Sequence, residues 1–282
     1  MNRSLAFLTL LILMLLQACS KTPEPAVALA PAAPSMPATI AWIKPEGPNI
    51  DPIFAQAKAK GILVVATDAE VSSKDAIYVG IDQKGWAMKS AEWLANTLGG
   101  KGNVVEIKGD PAVAPAVERS EGFHEAIAGS EIKIIAEQHA DWDEEKALKF
   151  MEDTLQRFGP GEIQAVYAHN DNMAFGALKA IKAAGRDKEG ILIIGIDGEN
   201  RAIRAVAKGD FAATFTYSTV APEGVIAAHA LVTGDTAALD KLGKMTKHAD
   251  GTMEIEIPSN MVTKDNATQF FCKGFGDDPE CK

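Results

Sequence analysis

From residue 39 onward the chain alternates short apolar, β-branched runs with longer stretches in which apolar residues recur every three or four positions. The runs predict strands at Thr39 to Ile43, Ile62 to Thr67, Ile77 to Ile81, Asn103 to Ile107, Ile132 to Glu137, Gln164 to Ala168, Ile191 to Ile196 and Phe211 to Thr216. Several are apolar at nearly every position, as strands covered by helices on both faces must be. Between them the helical spacing is carried by Ala87, Ala91, Leu94 and Leu98, by Leu148, Met151 and Leu155, by Ala174, Ala177, Leu178 and Ile181, and by Val225, Ile226, His229 and Val232. Strands alternating with helices predict repeated βαβ units, hence an α/β fold with parallel sheets. Asp143 and either Asn170 or Asp171 suit helix N-caps, while Gly159, Gly185, Gly209 and Gly234 stand where a left-handed C-terminal residue is wanted. The run Gly99-Gly100-Lys101-Gly102-Asn103 follows a helix and precedes a strand, the reverse of a phosphate loop, and reads as a tight turn.

The first eighteen residues differ in kind. One charge, Arg3, precedes an apolar run from Leu5 to Leu16 that is too short to span a membrane, the pattern of a signal peptide. The run ends in Leu16-Gln17-Ala18-Cys19, which resembles a bacterial lipobox and makes Cys19 the expected site of lipidation; an ordinary secretory peptide is the alternative. Residues 20–38 open Ser-Lys-Thr-Pro-Glu-Pro and continue rich in Ala and Pro, and with Cys19 they read as a semi-extended tether, which at about 3.1 Å per residue reaches roughly 55 to 60 Å from a bilayer. Loss of residues 1–18 leaves 27 basic against 38 acidic side chains, a net charge of −11, so nucleic acid is excluded as a natural partner. With Cys19 lipidated, Cys272 and Cys281 remain, and in an oxidising compartment they are expected to form a disulfide; two free thiols on a frayed tail are the alternative.

Ligands of parallel sheets gather beyond the carboxyl ends of the strands. Asp68, Asn170 with Asp171, and Asp197 follow strands directly, Trp142 follows the Ile134-Ile135 strand, and Arg119 lies at a helix start after Ile107. Each has a structural alternative: capping for Asn170 and Asp143, turn chemistry for Asp197 before Gly198, a solvated helix position for Arg119, core filling for Trp142. His169 has no second ligand at metal spacing and reads as structural, and the acidic run Asp141, Asp143, Glu144, Glu145 lacks the pattern of a calcium loop and reads as a helix start. No cofactor or metal is expected.

Five stretches carry a resemblance: Gly-Lys-Gly-Asn-Val-Val-Glu from 100, Glu-Arg-Ser-Glu-Gly-Phe at 118 to 123, Ala-Asp-Trp-Asp at 140 to 143, Asn-Asp-Asn-Met-Ala-Phe-Gly-Ala at 170 to 177, and Gly-Ile-Asp-Gly at 195 to 198. In this order they resemble the ribose and galactose group of periplasmic sugar-binding proteins. The resemblance implies two α/β lobes closing on a sugar, with contacts from Asp68, Arg119, Trp142, Asn170, Asp197 and, at the hinge, Tyr217. The chemistry fits: carboxylates accept from neighbouring hydroxyls, Arg donates as a fork, Asn does both, and an indole covers the apolar side of a sugar ring.

The family begins with two further strand and helix repeats, and Ala41 to Glu46 matches its third strand; aromatic contacts on the second sugar face fall in the missing part. Ala69 also replaces an arginine of the ribose binders. The expected division is an incomplete first lobe at 39–82 plus 218–260, a complete second lobe at 83–217, and a tail at 261–282, with the first lobe the less stable because its sheet exposes an edge. The leading expectation is a sugar receptor serving an ABC permease. The alternative is a sensory or interaction module acting through a membrane partner. No Gly-x-Ser-x-Gly, His-Glu-x-x-His or Cys/His nucleophile pattern supports an enzyme.

Overall fold

The computed structural model describes residues 38–43, 51–68, 71, 73–217 and 220–281, and of 38–43 and Asp51 the backbone alone. The leader at 1–18, Cys19, the tether as far as residue 37, and Ala69 lie outside these residues.

The strands expected from the apolar runs are present, displaced at their ends by no more than two residues. They form two sheets. The first has the order β1-β2-β3-β10-β9, built from β1 (Ala38–Ile43), β2 (Leu63–Asp68), β3 (Ile77–Gly80), β9 (Lys244–Lys247) and β10 (Met253–Glu256). The second has the order β11-β8-β7-β6-β4-β5, built from β4 (Lys101–Lys108), β5 (Glu131–His139), β6 (Ala165–Ala168), β7 (Leu192–Ile194), β8 (Ala213–Phe215) and β11 (Met261–Thr263). Pairing is parallel except at the margins, where β9 runs antiparallel to β10 and β11 to β8. These marginal strands and β10 left no apolar signal: Lys-Met-Thr-Lys is mostly exposed, Met-Glu-Ile-Glu alternates, and β11 has three residues. The stretch expected as a tail therefore opens with an edge strand of the second sheet.

The helices are α1 (Asp51–Ala59), α2 (Gln83–Leu98), α3 (Ala114–Ile127), α4 (Glu144–Arg157), α5 (Asp171–Ala183), α6 (Asn200–Lys208), α7 (Ala221–Thr233), α8 (Thr236–Leu242) and α9 (Ala267–Phe270). Asp143 caps α4 through Lys146 N, and Asn170 caps α5 through Met173 N. Gly185, Gly209 and Gly234 adopt left-handed conformations, with φ of 69°, 82° and 74°. Gly159 does not. It precedes Pro160, which disfavours helical and left-handed backbone in the residue before it, and Phe158 ends α4 in an extended conformation instead.

Two helix pairs cover the second sheet, α2 with α3 on one face and α4 with α5 on the other. Both approaches are close enough to demand glycine: a Cβ on Gly122 would overlap Lys84 O, and one on Gly176 would overlap Glu144 O. One core unites Val105, Ile107, Val166, Phe150, Met151, Met173 and Ile203. Another joins Val104, Tyr167, Ile194, Phe215, Trp86, Leu94 and Phe123 to Val65, Val79 and Ile255 of the first sheet. A third, smaller cluster lies under α1 and holds Phe54, Val64, Ala66, Val71 and Ala76.

The chain passes between the sheets after β3, after β8 and after β10. The crossovers are stapled together: Ile257 N donates to Gly80 O at 2.7 Å, and Thr216 N donates to Asn260 O at 2.9 Å.

Candidate functional site

Parallel strands leave polar backbone and loop groups together at their carboxyl ends, and the expected ligand residues stand there. Asp68 terminates β2, Asn170 and Asp197 follow β6 and β7, Trp142 follows β5, and Tyr217 follows β8. Three of these non-glycine residues take positive φ: 75° at Asp68, 65° at Trp142 and 123° at Asp197. Such backbone is disfavoured for residues with a Cβ and gathers at sites where the surrounding structure imposes it.

Arg119 sits at the centre. It occupies the buried stripe of α3 with Ala116, Phe123 and Ile127, so it is a core-facing position and not a solvated one. Its Nε donates to Gln83 Oε1 at 2.8 Å, and Nη1 donates to the carbonyl of His169. Nη1 also stands 3.9 Å from Asp197 Oδ1, and the guanidinium lies 5.4 Å from the Trp142 ring centre and 6.0 Å from that of Trp86. A cation this near an indole is stabilised by the ring quadrupole where little water reaches it.

Asn170 does two jobs at once. Its Oδ1 accepts from Met173 N at 2.8 Å as the cap of α5, while Nδ2 reaches Trp142 O at 3.4 Å. Tyr217 donates its hydroxyl to Asp68 Oδ1, tying the tip of the first sheet to the crossover leaving the second. Trp86 stands edge-on to Tyr217, with ring centres 5.7 Å apart, and so continues the contacts from the Asp68 pair to Arg119. The six residues thus lie in one connected group at the strand tips.

Electrostatics distinguish the carboxyls. Burial raises Asp197 to about 7, with Glu199 and Asp68 pushing the same way and Arg119 opposing them. Asp171, fully buried, is held well above its ordinary value by burial and by the neighbouring Asp197. It accepts from Thr214 Oγ1 at 2.7 Å and from Glu199 N at 2.9 Å, and its own N–H donates to Ile196 O at 2.7 Å, so it braces the backbone on both sides of Asp197.

Gln83, Trp86, Asp171 and Thr214 were not among the residues singled out for ligand contact. Gln83 had a signal: it lies one helical turn before Trp86 and Ala87 on the apolar stripe of α2, where a polar side chain must have a buried partner. Asp171 stands at the strand end in sequence and as an alternative cap, without a place in the ligand set.

Among the described residues, Glu106, His124 and Glu137 have metal-ligating atoms within 4.8 Å of one another. Lys108 Nζ lies 2.9 Å from Glu137 and 3.7 Å from Glu106, so an ammonium already neutralises these carboxylates. Asp141 pairs with Lys146 Nζ at 2.7 Å, and the acidic run is the start of α4. Cys272 and Cys281 stand together with Cα atoms 5.1 Å apart. No helix among the described residues is long and apolar enough to cross a membrane.

Residues 28–235 match a family model described as a periplasmic binding protein domain. The xylitol-binding protein of Mycolicibacterium smegmatis is 33% identical over 220 residues, 77% of this chain and 62% of that protein. The ribose import binding protein of Bacillus subtilis is 39% identical over 160 residues, 56% of this chain and 50% of that protein. The chain therefore spans between half and somewhat under two thirds of these relatives' length. Among solved structures, the fructose binding periplasmic domain of a hybrid two component system superposes with a TM-score of 0.64 at 31% identity, covering 81% of this chain and 72% of that one.

Proposed function

The chain belongs to the periplasmic binding protein family, and from that premise we propose that it binds a small pentose- or hexose-like sugar outside the cytoplasm and delivers it to an ABC permease by closure of its two lobes about the crossovers. The observation that carries the reading is the grouping of Asp68, Arg119, Trp142, Asn170, Asp197 and Tyr217 at the strand tips, with Arg119 3.9 Å from Asp197. This set offers two carboxyls to accept from vicinal hydroxyls, a fork of donors, and an indole for the apolar face of the ring, and none of them has to transfer a proton to or from the sugar. The relatives that bind ribose for import and xylitol support the polyol class.

Titration calorimetry with ribose, xylitol, arabinose and galactose tests it. Saturable binding of at least one is expected, and Arg119→Ala or Asp197→Ala should weaken it by about a hundredfold, the cost of leaving a buried charged partner unpaired. Flat titrations with the whole panel would defeat the reading.

The proposal extends to the ends of the chain. Residues 1–18 act as a leader, Cys19 carries lipid, the tether spaces the lobes from the bilayer, and Cys272 and Cys281 close a disulfide. Intact mass of protein extracted from membranes should show an acylated N-terminal Cys19 and two hydrogens fewer than the reduced chain. The division into lobes at 39–82 plus 218–260 and at 83–217 is part of the same reading.

A second reading, a receptor domain signalling to a membrane partner, is favoured by the likeness to the fructose binding domain of a two component system. Affinity isolation from membranes separates the two: a permease supports transport, and a histidine kinase supports signalling.

A further inference from the structure

Beneath the candidate site lie a buried carboxylate and imidazole that its ligand chemistry leaves unused. Glu106 belongs to β4, between β5 and β6, and its side chain is fully buried. A carboxylate inside a central strand is costly, and replacing a buried polar pair whole by apolar residues of similar size is often neutral or stabilising. Its presence there calls for a role other than stability.

The contacts supply one. Glu106 Oε1 lies 3.0 Å from Nε2 of His169, also fully buried, and Oε2 lies 2.6 Å from Nε2 of the exposed His124. On the other side of the His169 ring, Nδ1 accepts from Gly109 N at 3.3 Å. An imidazole whose Nδ1 accepts must carry its proton on Nε2, so the ring donates to Glu106 and has one tautomer. The charged groups around the pair are Lys108 from β4, His124 and Arg119 from α3, and Glu137 from β5; the Tyr167 ring of β6 packs 5.3 Å away, centre to centre. Burial holds His169 neutral, at about 4.

Both ends of His169 lead to the site. Its carbonyl accepts from Arg119 Nη1. Its ring holds Gly109, whose bare backbone seats the indole of Trp142: a Cβ there would overlap the ring. His139 Nδ1 fixes the other side of this glycine through Gly109 O at 2.6 Å.

We propose that Glu106 and His169 are positioning residues for the sugar site, with Glu106 setting the tautomer and orientation of the His169 ring so that residue 169 holds Arg119 through its carbonyl and Trp142 through Gly109. This rests on the sugar-binding reading for its effect on affinity, though not for the state of the ring.

Three variants and one spectrum test it. His169→Gln keeps a donor for Glu106 and an acceptor for Gly109 N, and should bind the best sugar of the panel within about threefold of wild type, whereas His169→Leu, of similar volume and without either group, should lose about tenfold or more. Replacing the pair whole, Glu106→Leu with His169→Leu, should lose affinity to the same degree without a lower unfolding midpoint, which separates positioning from support of the fold. Equal binding by wild type, His169→Leu and the double variant would overturn the proposal, as would a His169→Gln protein as weak as His169→Leu. The second measurement needs no variant and no sugar: nitrogen-15 shifts of the His169 ring in wild type should show a protonated Nε2 and a bare Nδ1, unchanged from pH 8 to pH 6. An Nδ1–H tautomer or an imidazolium in that range would overturn it even if the variants fail to fold. A panel of sugars that all fail on wild type, with the expected ring spectrum, defeats the function and leaves the geometry standing.

Discussion

Asp197 stands between opposed pulls, and its titration follows from them. Burial, Glu199 and Asp68 raise its carboxyl from 3.8 to about 7, while Arg119 at 3.9 Å draws it down. A sugar hydroxyl donates more strongly to the charged form of Asp197 than to the protonated acid, so binding expels a proton whenever the group is still protonated. Affinity should then rise with pH: about tenfold between pH 6 and pH 8, the change in the charged fraction for a group titrating near 7. Calorimetry at the two values checks it, and Asp197→Asn should bind weakly with no slope. The same residue shows what single positions disclose. Asp197, Asn170 and Asp68 were legible because each directly follows an apolar strand, where side chains of α/β proteins meet ligands. The burial of Asp197 and the nearness of Arg119 and Asp68 to it were not legible, because those residues come from separate segments of the chain.

At the scale of elements, the close helix pairs give a prediction opposite in sign to intrinsic propensity. Alanine in place of glycine inside a helix ordinarily stabilises by about 0.5 to 1 kcal/mol. Here a Cβ on Gly122 would meet Lys84 O of α2, and one on Gly176 would meet Glu144 O of α4, backbone atoms that cannot rotate away. Gly122→Ala and Gly176→Ala should each destabilise by about 1 to 3 kcal/mol, as overpacking does; urea unfolding reads this, and a rise in midpoint would show that the helices separate freely. Strands and caps at this scale were read from local pattern, because hydrophobic period and cap chemistry involve residues a few positions apart. The strands β9, β10 and β11 were not, because a strand at or near a sheet margin, half exposed and three or four residues long, has no apolar period of its own.

At the scale of the whole molecule, the second sheet is enclosed on both faces by paired helices, while in the first β1 is the edge strand, paired to β2 alone among the described residues. An edge strand opens at lower cost than a central one. Hydrogen exchange should therefore be faster at the amides of β1 than at those of the interior strands β4 and β6 by about a hundredfold or more, and equal protection would show that this edge does not fray. Taken by itself, the sequence determined the α/β class, eight of the eleven described strands, the caps other than Gly159, and the residue types at the strand tips, since these depend on short-range period and on where a strand stops. Only the tertiary structure decided that Trp86 links the Tyr217 pair to Arg119, that Asp171 braces the Asp197 turn, and that Glu106 and His169 stand behind the site. Those contacts join residues tens of positions apart, and burial, which sets their strength and their charge, exists only once the two sheets have closed over them.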